Sequence, residues 1–284
     1  MIESVCSWME GRFGRKHRRG SLDPARHRPL SSAERARIPS EDLVNRAFDN
    51  SPSDVCRTRR ILVLLSTQRS GSTFICDLLW RRQICVMHEY FQTEIYLPLL
   101  AERWACVSDG QVDWSAYVNA LQQYRSGPAG VLGINLHGAH LRAYLQAQDQ
   151  FPAVDCCHVW LRRRDILQQA VSLAIAEQTG RWSSHYVAGR PAAYDYGFFL
   201  GRLRYLHAQE DRIAAYLRSR QIPYETVYYE DLMVAPEATL ARAFDLDLNA
   251  EEPVAESAMR RQRSAESEEF LARFAADLVI HRGG

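Results

Sequence analysis

The sequence predicts an α/β fold with a mainly parallel sheet flanked by helices. Three observations carry this expectation. Ile61-Leu62-Val63-Leu64-Leu65 is a short, unbroken apolar run, as in a strand covered on both faces. A Ser/Gly-rich turn follows it and leads straight into a stretch with helical spacing. Further strand-like runs then alternate with amphipathic helical ones, a pattern that implies parallel pairing through right-handed crossovers.

The first 57 residues differ from the rest. Arg12, Arg15, Lys16, Arg18, Arg19, Arg26 and Arg28 are scattered among Pro, Ser and Gly, the composition of a basic, flexible tail. Such a tail is first of all solvated, but it also offers peripheral contact with an anionic membrane. Inside it, residues 40–48 have the spacing of a short amphipathic helix, with Ser40 as N-cap. The ordered domain is expected over residues 58–284. Further strands are expected at 84–86, 131–136, 157–162 and 224–228. Helices are expected at 73–82, 114–124, 139–147, 165–179, 194–220 and 236–244. The longest repeats Phe199, Leu203, Leu206, Ile213 and Leu217 near the 3.6-residue period, which defines a core face. Residues 85–130 are rich in Tyr and Trp and are a natural place for acceptor contacts.

Composition narrows the function classes. The chain has 284 residues, enough for one large domain with a sizeable core. A net charge of +1 gives no global attraction to nucleic acid. The seven cysteines are odd in number and show no CxxC spacing, so they read as reduced, buried thiols in a cytoplasmic protein. No run of 18 apolar residues suggests a membrane span, and no secretory leader is evident. No cluster of ligand residues points to a metal.

The turn Ser66-Thr67-Gln68-Arg69-Ser70-Gly71-Ser72-Thr73 has the makings of an anion site. The first N–H groups of a helix lack internal partners, and the helix dipole favours negative charge there. Gly71 permits close approach of backbone to ligand. Ser70, Ser72 and Thr73 add hydroxyls, and Arg69 adds a cation. This is not a Walker loop, which needs a lysine before its Ser or Thr. The chain's single lysine is Lys16, so every fixed cation in the domain is an arginine. A second anion site is suggested farther on. Arg164 stands at the end of an expected strand, and Ser172 follows eight residues later on an expected helix. The two could grip one phosphate, the arginine through its planar fork. Taken alone, they read equally as a solvated strand end and a neutral helix residue.

Several blocks together resemble the bacterial trehalose 2-sulfotransferase-like family of PAPS-dependent sulfotransferases. They are the Ser66 to Thr73 loop, Glu89-Tyr90-Phe91, Leu161-Arg162-Arg163-Arg164-Asp165, Gln169-Ala170-Val171-Ser172-Leu173, Glu177-Gln178-Thr179-Gly180-Arg181-Trp182 and Tyr229-Glu230-Asp231-Leu232. The resemblance implies a P-loop nucleotide-kinase-like sulfotransferase fold. It also implies 3′-phosphoadenosine 5′-phosphosulfate (PAPS) as co-substrate. Arg69, Ser70, Gly71, Ser72 and Thr73 would hold the 5′-phosphosulfate, and Arg164 with Ser172 the 3′-phosphate. Glu89 would be the general base toward a carbohydrate or glycolipid hydroxyl, in a homodimer. His88 and His137 are the alternative bases. Of Arg162 and Arg163, one is expected to pair with Asp165 and one to face the donor. One departure stands out: Asn135 lies where relatives tend to carry a lysine. The rival readings are a nucleotide kinase or NTPase of the same fold and a non-catalytic nucleotide-binding protein.

Overall fold

The computed structural model describes residues 23–51, 57–183, 186, 189–248 and 264–281. Its centre is a four-stranded parallel sheet in the order β4-β1-β5-β6. These strands are β1 (Arg60–Ser66), β4 (Val131–His137), β5 (Asp155–Arg162) and β6 (Glu225–Tyr228). A small antiparallel hairpin, β2 (Val107–Ser108) with β3 (Gln111–Val112), lies apart. The helices are α1 (Ser32–Arg35), α2 (Ser72–Arg81), α3 (Tyr96–Arg103), α4 (Trp114–Arg125), α5 (Leu141–Ala147), α6 (Ile166–Thr179), α7 (Tyr196–Ser219), α8 (Tyr229–Leu232), α9 (Pro236–Phe244) and α10 (Ala265–Ile280).

β1 is unbroken in hydrophobicity because it is central and covered on both faces. Side chains alternate across a strand. Ile61, Val63 and Leu65 therefore enter one core, with α4, α5 and Ile213 of α7. Leu62 and Leu64 enter the other, with α2 and α9. A third cluster joins α6, α7 and α10 through Val171, Phe199, Phe270 and Phe274. Helix ends follow their side chains. Asp165 and Asp195 cap α6 and α7 by accepting from Gln168 and Phe198 N–H, and Gly180 ends α6 in the left-handed conformation.

Four expectations change. Residues 23–51 are not a loose tail: Leu30 and Val44 are buried in the main core. The rest of the basic stretch, Arg12 to Arg19, lies outside the described residues. Residues 40–48 do not form a regular helix; only Arg46–Phe48 makes a 3-10 turn. Asp42 accepts from Val44 N–H at 2.9 Å, and Asn45 Nδ2 donates to Pro39 O at 2.6 Å. Such local bonds offer the backbone an alternative to the helix. Residues 84–86 are no strand; one isolated parallel bridge, His88 to Ile134, takes their place. The aromatic 85–130 region holds α3 and the β2–β3 hairpin. That hairpin turns at Asp109-Gly110, both with positive φ, a turn signal present in the sequence.

Candidate active site

Ser66, His137, Arg162 and Tyr228 end the four parallel strands, and their successors crowd the carboxyl edge of the sheet. Ligands of open α/β sheets gather at that edge. Here it carries a cavity of about 1270 Å³. A single drug-sized ligand needs roughly 300–1,000 Å³, so the cavity has room for more than one small group.

One wall is the Ser66 to Thr73 turn, pinned from three sides. Ser66 Oγ donates to Asn135 Oδ1 at 2.8 Å across the β1–β4 pair. Gln169 Nε2, on α6, donates to Thr67 Oγ1 and to Gln68 O, both at 2.7 Å. Gln68 Nε2 donates to Tyr205 Oη of α7 at 3.0 Å. The turn then passes through two left-handed residues, Arg69 and Gly71, and Gly71 is the N-cap of α2. Ser70 is fully buried, and its Oγ has no hydrogen-bond partner among the described residues. Ser70 does not line the cavity, whereas Arg69, Gly71, Ser72 and Thr73 do; the helix N-terminus they surround favours an anion.

Gly71 is required here for two reasons. Its φ is 100°, and a Cβ would lie 2.6 Å from Cδ2 of Tyr229. That ring is backed by the Arg163 guanidinium, 4.1 Å from its centroid. Gly71→Ala should therefore cost roughly 1–2 kcal/mol for the left-handed backbone alone and weaken donor binding further by shifting Tyr229. Calorimetric titration with donor nucleotide checks this; wild-type affinity would remove the loop from the donor site.

Arg69 turns toward α6. Its Nε donates to Ser172 Oγ at 3.0 Å and its Nη1 to the carbonyl of Trp182. Burial lowers its pKa to about 10, helped by the nearby Arg163 and Arg181, and it stays charged at neutral pH. Ser172 is thus joined to the Ser66 to Thr73 turn. Arg164 points elsewhere. Its guanidinium makes a bidentate pair with Asp231, at 2.8 and 2.7 Å, with the two side chains 50% and 53% exposed. No hydrogen bond links Arg164 to Ser172 among the described residues. Their expected joint grip on one phosphate is not made here, because the first turn of α8 places Asp231 within reach of Arg164. Arg163, not Arg164, lines the cavity. Asp165 takes neither neighbour: it caps α6, and Arg162 pairs with Glu210 at 2.9 Å.

The opposite wall carries Glu89. The His88–Ile134 bridge brings it alongside β4, with Asn135 N–H donating to His88 O at 2.9 Å. Its side chain is 23% exposed, and burial raises its pKa to about 7, with His88 opposing the shift and Asp42 and Glu94 adding to it. His88, an alternative base, faces Asp42 Oδ1 at 3.0 Å and packs edge-on to Tyr96. His137 is near Glu89, its Nδ1 lying 3.5 Å from Oε2, but burial pushes its pKa down to about 3. His140, which the sequence reading passed over, adds its Nε2 at 3.9 Å from the same oxygen. Burial, with His137 and His88 nearby, drives its pKa down too. The His-x-x-His spacing at 137 and 140 was the available signal. Asp42, from the N-terminal segment, gave none: only the tertiary fold brings it to His88.

The family model described as Stf0 sulphotransferase matches residues 61–277. Among solved structures, the chain is similar to the sulfotransferase domain from the Synechococcus PCC 7002 olefin synthase, with 12% identity, a TM-score of 0.43, and coverage of 79% of this chain and 98% of that one. No curated protein sequence matches it. The family match starts in β1, spans the donor-loop turn, Glu89 and Ser172, and ends within α10. The chain belongs to the Stf0 sulphotransferase family and is a sulfotransferase enzyme.

Proposed function

We propose that this sulfotransferase moves a sulfuryl group from PAPS to a hydroxyl of a carbohydrate or glycolipid, with Glu89 as general base. One observation carries the reading: the anion-binding turn and a carboxyl group with pKa near 7 open on the same cavity. The 5′-phosphosulfate lies against Gly71, Ser72 and Thr73, with Arg69 as the cation. The acceptor O–H loses its proton to Glu89 as its oxygen attacks sulfur. The S–O bond to the 5′-phosphate breaks, and adenosine 3′,5′-bisphosphate leaves. Charge develops on the transferred oxygens and the leaving phosphate. Stabilising it is chiefly a matter of fixed donors and positioning. Asn135 brings no charge; the arginines that line the cavity are Arg37, Arg69, Arg163 and Arg190, and Arg69 stands in the turn itself.

Ser172 and Arg164 bind the 3′-phosphate, which requires Arg164 to leave Asp231. That costs little, because an exposed ion pair is screened by solvent and stabilises weakly. A bidentate bond to phosphate returns more. Arg164→Ala should weaken PAPS by roughly 10–150-fold, the range of a hydrogen bond to a charged group. Adenosine 5′-phosphosulfate, which has no 3′-phosphate, should bind the variant almost as it binds wild type. Equal weakening of both donors would take Arg164 out of the donor site.

The acceptor side fits a sugar in its mixture of aromatic and acidic groups, including Tyr96, Tyr186, Asp42 and Glu94. Transfer of ³⁵S from labelled PAPS to a cell extract, with the product identified, tests the whole reading. No labelled product from any extract would sink it. Among the described residues no helix is long and apolar enough to cross a membrane, and Cys76, Cys85, Cys106, Cys156 and Cys157 are free thiols. We place the enzyme in the cytoplasm as a homodimer, the basic residues from Arg12 to Arg19 available to an anionic membrane.

A further inference from the structure

His137 ends β4, and His140 caps the start of α5 three residues on. Their rings stack with centroids 4.9 Å apart. Both residues are buried, at 3% and 4% exposure. Neither nitrogen of His137, nor Nδ1 of His140, has a hydrogen-bond partner among the described residues. A neutral imidazole holds one N–H and one lone pair, and leaving such groups unsatisfied in the interior is costly. Glu89 Oε2 lies 3.5 Å from His137 Nδ1 and 3.9 Å from His140 Nε2. One ligand atom from each of the three residues falls within 4.8 Å of the others.

We infer that Glu89, His137 and His140 form a binding site for a transition-metal dication of the Zn(II), Co(II) or Ni(II) class. Two imidazole nitrogens and one carboxylate oxygen suit that class, whereas Mg²⁺ and Ca²⁺ favour all-oxygen shells. Bonds of ~2.0–2.2 Å to such an ion put tetrahedral ligand atoms about 3.4 Å apart. The two separations to Glu89 close on that value by small side-chain movements. The backbone already fixes the frame: β4 holds His137, the following turn holds His140, and the His88–Ile134 bridge holds the segment before Glu89. All three residues line the cavity. No metal is expected from the sequence alone, because the ligands come from two separate segments. On the reading of Glu89 as general base, on which this consequence rests, the ion takes the carboxylate that would accept the proton. The dication is then an inhibitor of transfer, not a cofactor.

The test is a Co(II) titration of the full chain without nucleotide, followed by visible absorption. A d–d band saturating at one equivalent, lost on adding Zn(II), is expected. No near-UV thiolate charge-transfer band should accompany it. His137→Ala and His140→Ala should each weaken Co(II) by more than the ~10–100-fold that follows loss of a mere outer-shell partner. His140→Gln, which keeps a polar group in place, should do the same if the alanine variant fails to melt cooperatively. No saturable band, a thiolate band, or unchanged affinity in folded variants would overturn the site. Zn(II) should also stop ³⁵S transfer at concentrations that displace Co(II). A Co(II) spectrum without any sulfuryl transfer leaves the metal site standing and removes the proposed reaction. Transfer that is indifferent to Zn(II), with no Co(II) band, removes the metal site alone.

Discussion

Glu89→Gln slows sulfuryl transfer by ~10²–10⁴-fold while leaving PAPS affinity nearly unchanged, if this carboxylate takes the acceptor proton. In barrier height that is roughly 3–5 kcal/mol. The substitution is well suited to the site. Glutamine keeps the shape and the hydrogen-bonding capacity of the side chain but cannot accept the proton. Burial already holds the native carboxyl near pKa 7, so the neutral replacement removes little that folding depends on. Single-turnover quench kinetics with saturating PAPS separates the chemical step from binding. Unchanged transfer would move the base to another group. His137 is the nearest, but an imidazole pushed down to about 3 is a much poorer proton acceptor. The hydrogen bonds that pin the Ser66 to Thr73 turn run to Asn135, Gln169 and Tyr205, so this substitution leaves them in place.

Asp49→Ala destabilises the whole protein and disturbs the acceptor wall with it. Arg125, on α4, is fully buried. Its Nη2 donates to Asp49 Oδ1 at 2.5 Å and to Val44 O at 3.0 Å, and its Nη1 donates to Leu43 O. The guanidinium also lies 5.6 Å from the ring centroid of Trp104. Losing one partner of a buried pair leaves an uncompensated charge, at a cost of about 3–5 kcal/mol. For a protein of this size that lowers Tm by roughly 6–20 °C. Calorimetry of Asp49→Ala measures it. A shift below ~2 °C would mean that residues 43–49 are not held through Arg125. The same segment carries Asp42 to His88, one residue from Glu89. A catalytic defect, measured well below the lowered Tm, should therefore accompany the loss of stability.

How much of this was legible in the sequence differs by feature. Strand β1, the turn after it and helix α2 were plain, because an unbroken apolar run and a small-residue turn are local signals. The long helix α7 was equally plain from its period. Residues 40–48 misled, since side-chain bonds from Asp42 and Asn45 overrode a helical spacing. Helix α10 went unseen, and α3 was hidden in an aromatic stretch whose burial depends on distant partners. Glu89 and Ser172 were named from family resemblance, and both line the cavity. Arg164 was also named, but the structure pairs it with Asp231 and puts Arg163 on the cavity wall.

The sequence by itself determined the sheet class, the location of the small-residue turn that opens α2 and the all-arginine character of the cations available to it. These follow from local hydrophobicity, from the geometry of a helix N-terminus, and from a domain that contains no lysine. Only the tertiary structure decided what surrounds Glu89. His137 and His140 reach it because the His88–Ile134 bridge lays the segment before Glu89 along β4. Asp42 reaches His88 because a buried arginine holds the N-terminal segment down. Neither juxtaposition is encoded in any single stretch of chain. Each depends on long-range packing, which sets the burial of the carboxyl group and with it the pKa near 7.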